Sequence, residues 1–143
     1  MITVSIAGDG GSISIEVLGY ENASASDDSD ANWLISRIAV VAGPFSGQLS
    51  VALTTQDFAH FRRDLVEALR TLTGKAVFQT DEDSLRFQVE MGSRGTAKVS
   101  GIAQVIAGYR ASLTFAFETD QSYLTQARSA LDAVVENFPV QRR

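Results

Sequence analysis

NWLISRIAVVAGPFSGQLSVALTTQDFAHFRRDLVEAL, residues 32–69, contains in miniature the architecture expected of the whole chain. Trp33, Ile35, Arg37, Ala39 and Val41 alternate with Leu34, Ser36, Ile38, Val40 and Ala42, the period of a β-strand. Neither set is uniformly polar, so the strand is expected to be central and covered over part of both faces. Gly43-Pro44-Phe45-Ser46-Gly47 supplies a turn. Leu49, Val51 and Leu53 then alternate with Ser50, Ala52 and Thr54, giving a second strand with a large-residue face and a small-residue face. The small face would admit a closely packed helix. That helix is announced by Thr54-x-x-Asp57, a capping box in outline with Asp where Glu is commoner. Phe58, Phe61, Leu65, Ala68, Leu69 and Leu72 recur at spacings of three and four, with Arg62, Arg63, Asp64 and Glu67 opposite, the pattern of an amphipathic helix. Thr73-Gly74 offers a glycine C-cap.

Upstream, Ile2, Val4 and Ile6 alternate with polar residues, Gly8-Asp9-Gly10-Gly11 interrupts, and Ile13, Ile15 and Val17 resume. This predicts a hairpin. A glycine-rich phosphate cradle would need a helix after the glycines, and a strand follows instead. Glu21–Asp30, ENASASDDSD, is small, polar and acidic and reads as a surface loop. Asp27, Asp28 and Asp30 imitate part of a calcium loop, but the central Gly and distant Glu of that motif are missing.

Downstream the order repeats. Ala76 and Phe78 suggest a short strand, and Thr80-Asp81-Glu82-Asp83-Ser84 an acidic turn. Leu85, Phe87, Val89 and Met91 form a clean alternation, and Gly92-Ser93-Arg94-Gly95 a turn. Ala97, Val99, Ala103 and Val105 continue, with Gly101 as a bulge or bend. Leu113, Phe115 and Phe117 make a last one-faced strand. Thr119 or Asp120 caps a second helix striped by Tyr123, Leu124, Ala127, Leu131, Val134 and Val135, which Asn137 and Pro139 stop. Shifted by 64 residues, Ile38–Leu53 falls on Ile102–Phe117 with five identities in sixteen positions. The expected fold is α+β: a duplicated β-β-β-β-α unit, residues 1–74 and 75–143 of a single domain. It forms a twisted antiparallel sheet of about eight strands with two helices packed on one face.

The 143 residues suit one domain that needs no staples. The absence of cysteine excludes disulfides and thiolate metal sites. A net charge of −5 argues against direct nucleic-acid binding and against an anionic membrane surface. No apolar run approaches the ~20 residues of a membrane span. The first residues lack the basic and apolar regions of a signal peptide, so the cytoplasm is the expected location.

Little in the chain carries chemistry. His60, the only histidine, has no second histidine at helical spacing and reads as a boundary residue of the helix. There is no G-x-S-x-G elbow, no Walker or dinucleotide fingerprint, and no basic stripe with interleaved aromatics. No catalytic residue, cofactor or metal ligand is assigned, and a non-enzymatic protein is expected.

Gly19-Tyr20-Glu21-Asn22, Asp30-Ala31-Asn32-Trp33-Leu34, Gly43-Pro44-Phe45-Ser46-Gly47 and Thr55-x-Asp57-Phe58-x-x-Phe61 occur in an order that resembles the WapI family of bacterial immunity proteins. Asp120-Gln121-x-Tyr123-Leu124 and Phe138-Pro139 extend the resemblance, which runs from about Ile13 to Val140. It implies a protein that neutralises a cognate secreted polymorphic toxin by binding it. For the family's namesake that toxin is a tRNA-cleaving nuclease. An acidic inhibitor would be steered to the basic surface such a toxin needs. The candidate contacts are Asp27, Asp28 and Asp30 in the loop, Asp81, Glu82 and Asp83 in the later turn, and Trp33 as an aromatic anchor. A core role competes for Trp33. Two other classes stay open: an interaction module, homo-oligomeric through exposed sheet edges, and a small-molecule binder using the sheet face away from the helices.

Overall fold

The period-two runs become eight strands and the two apolar stripes become two helices. The computed structural model describes residues 1–22 and 31–141; Asp27, Asp28 and Asp30 lie outside them. In chain order the elements are β1 (Ile2–Gly8), β2 (Gly11–Tyr20), β3 (Trp33–Ala42), β4 (Phe45–Thr54), α1 (Thr55–Thr71), β5 (Lys75–Gln79), β6 (Leu85–Met91), β7 (Thr96–Gln104), β8 (Ser112–Asp120) and α2 (Gln121–Asn137). The eight antiparallel strands divide into two four-stranded meanders, β1-β2-β3-β4 and β5-β6-β7-β8, each followed by its helix. The duplicated four-strand-plus-helix unit is therefore present. Among the described residues, no helix is long and apolar enough to cross a membrane.

The tight turns follow from local chemistry. Gly8 pairs with Gly11, leaving Asp9-Gly10 as the reversal, and Gly10 takes a φ of 87° that glycine alone adopts freely. Ala42 pairs with Phe45, so the second reversal is only Gly43-Pro44 and Phe45 already belongs to β4. The β2–β3 ladder shifts register between Val17 and Gly19, the one irregularity in that pair.

Several expectations are corrected. β3 is covered on one face only: Leu34, Ser36, Ile38 and Val40 are buried, whereas Ile35 and Val41 are 44 % and 42 % exposed. On that open face Arg37 reaches Glu16 across the ladder at 3.3 Å. The small face of β4 receives no closely packed helix. Instead α1 lies on β5, the first strand of the second sheet, and α2 lies on β1, the first strand of the first sheet, while the two helices touch each other. Gly101 is not a bulge, since it pairs regularly with Phe87 and Phe115. It is small because a side chain there would sit 2.5 Å from the Phe87 Cβ.

The repeat also has a different internal register. Trp33 pairs with Thr54, the N-cap of α1, and Thr96 pairs with Asp120, the N-cap of α2. These anchors set an offset of 63 residues for β3 onto β7 and of 66 for β4 onto β8. An offset of 64 on the first pair would put core-facing Ile38 on outward-facing Ile102, because one residue of slip exchanges the faces of a strand.

The crossed helix packing makes one core of both halves. At its centre Phe61 meets Phe78 and Phe87 edge-on, Phe58 meets Phe78 edge-on, and Phe78 stacks on Phe87 at 5.3 Å. Phe58 and Phe61 come from α1, and Phe78 and Phe87 from the second sheet. Each such ring contributes about 1.5–3 kcal/mol through burial alone, with a further increment from the edge-to-face geometry.

Candidate partner-binding cleft

The two sheets meet at two seams that the duplication makes equivalent. One joins the end of β1 to the end of β8. Asp9 and Glu118 exchange backbone hydrogen bonds of 2.8 and 3.3 Å, and the Thr119 hydroxyl donates to the Ala7 carbonyl at 2.7 Å. Gly8 is required there, because any side chain would collide with the Glu118 carbonyl. Only a small recess of about 260 Å³ remains, beside Thr96, Asp120 and Tyr123.

The other seam lies between the end of β4 and the end of β5, and among the described residues it is open. A cleft of about 710 Å³ separates the start of α1 from the β5–β6 turn. Trp33 and Thr54 form one wall, Asp57 and His60 project from α1, and Gln79, Thr80, Asp81 and Asp83 close the opposite side. The strand register explains Trp33: it sits opposite Thr54, the last residue before the helix, at the mouth rather than in the core. It is half-buried, neither enclosed in the core nor fully exposed.

The capping box places Asp57. Its backbone N–H donates to Thr54 Oγ1 at 3.1 Å, and its Oδ2 accepts from the Thr54 N–H at 3.0 Å. Burial pushes the Asp57 carboxyl above its ordinary value, opposed by hydrogen bonding to it from the Thr54 backbone N–H and from the Thr54 side chain. The nearby Asp81 charge adds to the rise and His60 works against it. The turn is held by Asp83 N–H donating to the Thr80 carbonyl at 3.3 Å and by Gln104 Nε2 donating to the Asp83 carbonyl at 2.8 Å. Asp83 takes a left-handed φ of 57°, a conformation that Asp tolerates better than most residues. Thr80 is 5 % exposed and its hydroxyl has no hydrogen-bond partner among the described residues.

Of the candidate contacts, Trp33, Asp81 and Asp83 are thus brought to one cleft. Glu82 is not: it lines a separate groove of about 340 Å³ with Leu49–Ala52 and Val105–Ala107. Asp57, His60 and Thr80 were not singled out as contacts by the sequence. Asp57 carried a visible cap signal, but nothing local to Thr80 or His60 shows that the β5–β6 turn comes back to α1. Among the described residues, no group of three His, Cys, Asp or Glu side chains is placed to hold a metal ion. The cleft offers a ligand the carboxylates of Asp57, Asp81 and Asp83, the threonines Thr54 and Thr80 and the aromatic side chain of Trp33.

Residues 2–139 match the model of the family described as the immunity protein WapI-like family. No curated protein matches the chain.

Proposed function

The chain belongs to the immunity protein WapI-like family, and from that premise we propose that it binds and neutralises a cognate secreted bacterial toxin by stoichiometric occlusion. The single observation that carries the reading is the family match across residues 2–139. The protein acts without catalysis, in the cytoplasm of the bacterium that makes the toxin. We propose a nuclease as the toxin class, as for the family's namesake: an enzyme that handles RNA or DNA presents a basic surface, which this chain's net charge of −5 complements. The acidic cleft beside Trp33 supports the same pairing of charges.

The experiment is a titration of the toxin encoded beside this gene with the purified protein. Inhibition is expected to be complete at one equivalent, and the affinity to fall as salt is raised from about 50 to 300 mM through screening of the charge attraction. A toxin that retains full activity at tenfold excess of the protein overturns the reading for that pair.

A further inference from the structure

We propose that the open seam is an arginine-recognition site, which receives a guanidinium of the partner protein against Trp33 and between the carboxylates of Asp57, Asp81 and Asp83. The proposal rests on the reading of the chain as a toxin-binding protein and names the chemistry by which it would hold its partner.

Three observations carry it. The equivalent seam in the other half is closed by a backbone bridge and a threonine hydrogen bond, Thr119 to Ala7, whereas this one stands open by about 710 Å³. The duplication thus supplies its own control: closing the seam is compatible with the fold, and among the described residues it has not happened here. Next, Thr80 lines the open seam, and its buried hydroxyl lacks a partner among the described residues. A buried polar group left unsatisfied is destabilising, and an incoming N–H donor satisfies it. Finally, the described lining holds three carboxylates and no lysine or arginine. One of those carboxylates, Asp57, is held in a buried setting that disfavours its charge, and an added cation offsets that penalty.

The choice of arginine over lysine follows from shape. A guanidinium is planar and weakly hydrated, stacks on an aromatic face, and spreads its donors across more than one carboxylate. Trp33 offers the aromatic face, and Asp81 and Asp83 stand two residues apart on the turn opposite α1. A lysine ammonium would meet the charge but leave the aromatic face unused.

Trp33 is the only tryptophan of the chain, so its fluorescence reports directly on the cleft. The protein is titrated with N-acetyl-Arg-Arg-amide, the matching Lys-Lys dipeptide and the Ala-Ala dipeptide. A saturable change in emission is expected with the arginine dipeptide, at least threefold weaker with the lysine dipeptide, and none with alanine. Asp81→Asn/Asp83→Asn, in which Asn tolerates the left-handed backbone of position 83, is expected to raise the half-saturation concentration at least tenfold. No saturable change, an equal response to lysine, or an unchanged double variant overturns the proposal. The neighbouring toxin separates this proposal from the one it rests on. A toxin that binds the wild type and the double variant equally overturns the arginine site and leaves the immunity reading standing. A toxin that fails to bind while the dipeptides behave as expected supports the site and removes the immunity reading for that pair.

Discussion

Asn32 shows why residues that carry a family resemblance need not touch the partner. It is 1 % exposed, and its polar atoms tie three parts of the chain together. Its backbone carbonyl accepts from Thr55 N–H at 2.9 Å, and its Oδ1 accepts from Gln141 N–H at 2.6 Å and from the Thr55 hydroxyl at 3.2 Å. Its Nδ2 donates to the Gln141 carbonyl at 3.0 Å. Beside it Tyr20 donates to the Pro139 carbonyl at 2.8 Å and packs edge-on against Phe138. Tyr20, Asn32, Thr55, Phe138 and Pro139 are thus one clasp that holds the C-terminal segment to Gln141. Asn32→Ala leaves several of these groups unsatisfied and is expected to cost about 1–3 kcal/mol, read by denaturant unfolding; a loss below about 0.5 kcal/mol contradicts the clasp. Asp57 makes a different demand. Its folded-state carboxyl titrates above its ordinary value because of burial, so in the intervening range the folded state binds more protons than the unfolded state. The stability linked to this group is full below the unfolded value, near 3.8, and is lost as pH rises through the raised folded value. Asp57→Asn can keep the acceptor for Thr54 without that loss. Melting curves of both proteins from pH 3 to 7 are expected to shift in favour of the variant as pH rises. A shift in favour of the wild type would mean that the hydrogen bonds outweigh burial.

At the scale of elements, α1 begins where its sequence says and ends where its sequence does not. The capping box is contained in four consecutive residues, and both of its reciprocal hydrogen bonds form. The far end was expected at Gly74, yet the left-handed C-cap residue is Leu72, with φ 56° and ψ 31°, whose N–H donates to the Ala68 carbonyl at 2.8 Å. A leucine pays roughly 1–2 kcal/mol for that conformation, and its side chain, 40 % exposed, recovers little by burial. Leu72→Gly is therefore expected to stabilise the protein by about 0.5–1 kcal/mol, after the entropy cost of glycine is subtracted. A lower thermal midpoint would show that the Leu72 side chain matters more than its backbone. The same contrast runs through the rest of the chain. Alternation and stripes made eight strands and two helices legible, because each depends on neighbours a few residues away. What Gly101 and the small face of β4 would meet was not legible, because each answer comes from another element: Phe87 of β6 crowds Gly101, and α1 lies on β5 of the second sheet instead of on β4. The cleft was half legible for that reason: Asp81 and Asp83 announce themselves as an acidic turn, but only the fold brings them to Trp33 and Asp57.

Across the whole molecule, the crossed placement of the helices decides how the protein unfolds. α1 has its own sheet behind it in sequence, but lays Phe58 and Phe61 on Phe78 and Phe87 of the other; α2 returns to β1. Each helix packs on the first strand of the other half's sheet, so residues 1–74 and 75–143 are expected to unfold as one cooperative unit in spite of the duplication. Phe61→Ala opens a cavity where both halves meet and is expected to cost about 3–5 kcal/mol. The expected outcome is specific to the crossed arrangement. In urea, Trp33 emission reports the first half and the helical circular dichroism reports both helices, and the two curves are expected to coincide for the wild type and to move together in the variant. Independent halves would behave otherwise: the helical signal would split into two transitions, with Trp33 following only the one weakened by the substitution. The isolated segment 1–74 gives the complementary measurement. It retains the capping box and all four strands of its sheet but loses the surface that covers α1, and it is expected to show no cooperative melting. A segment that melts sharply would mean that its helix can turn back onto β4, and would remove the case for reciprocal packing.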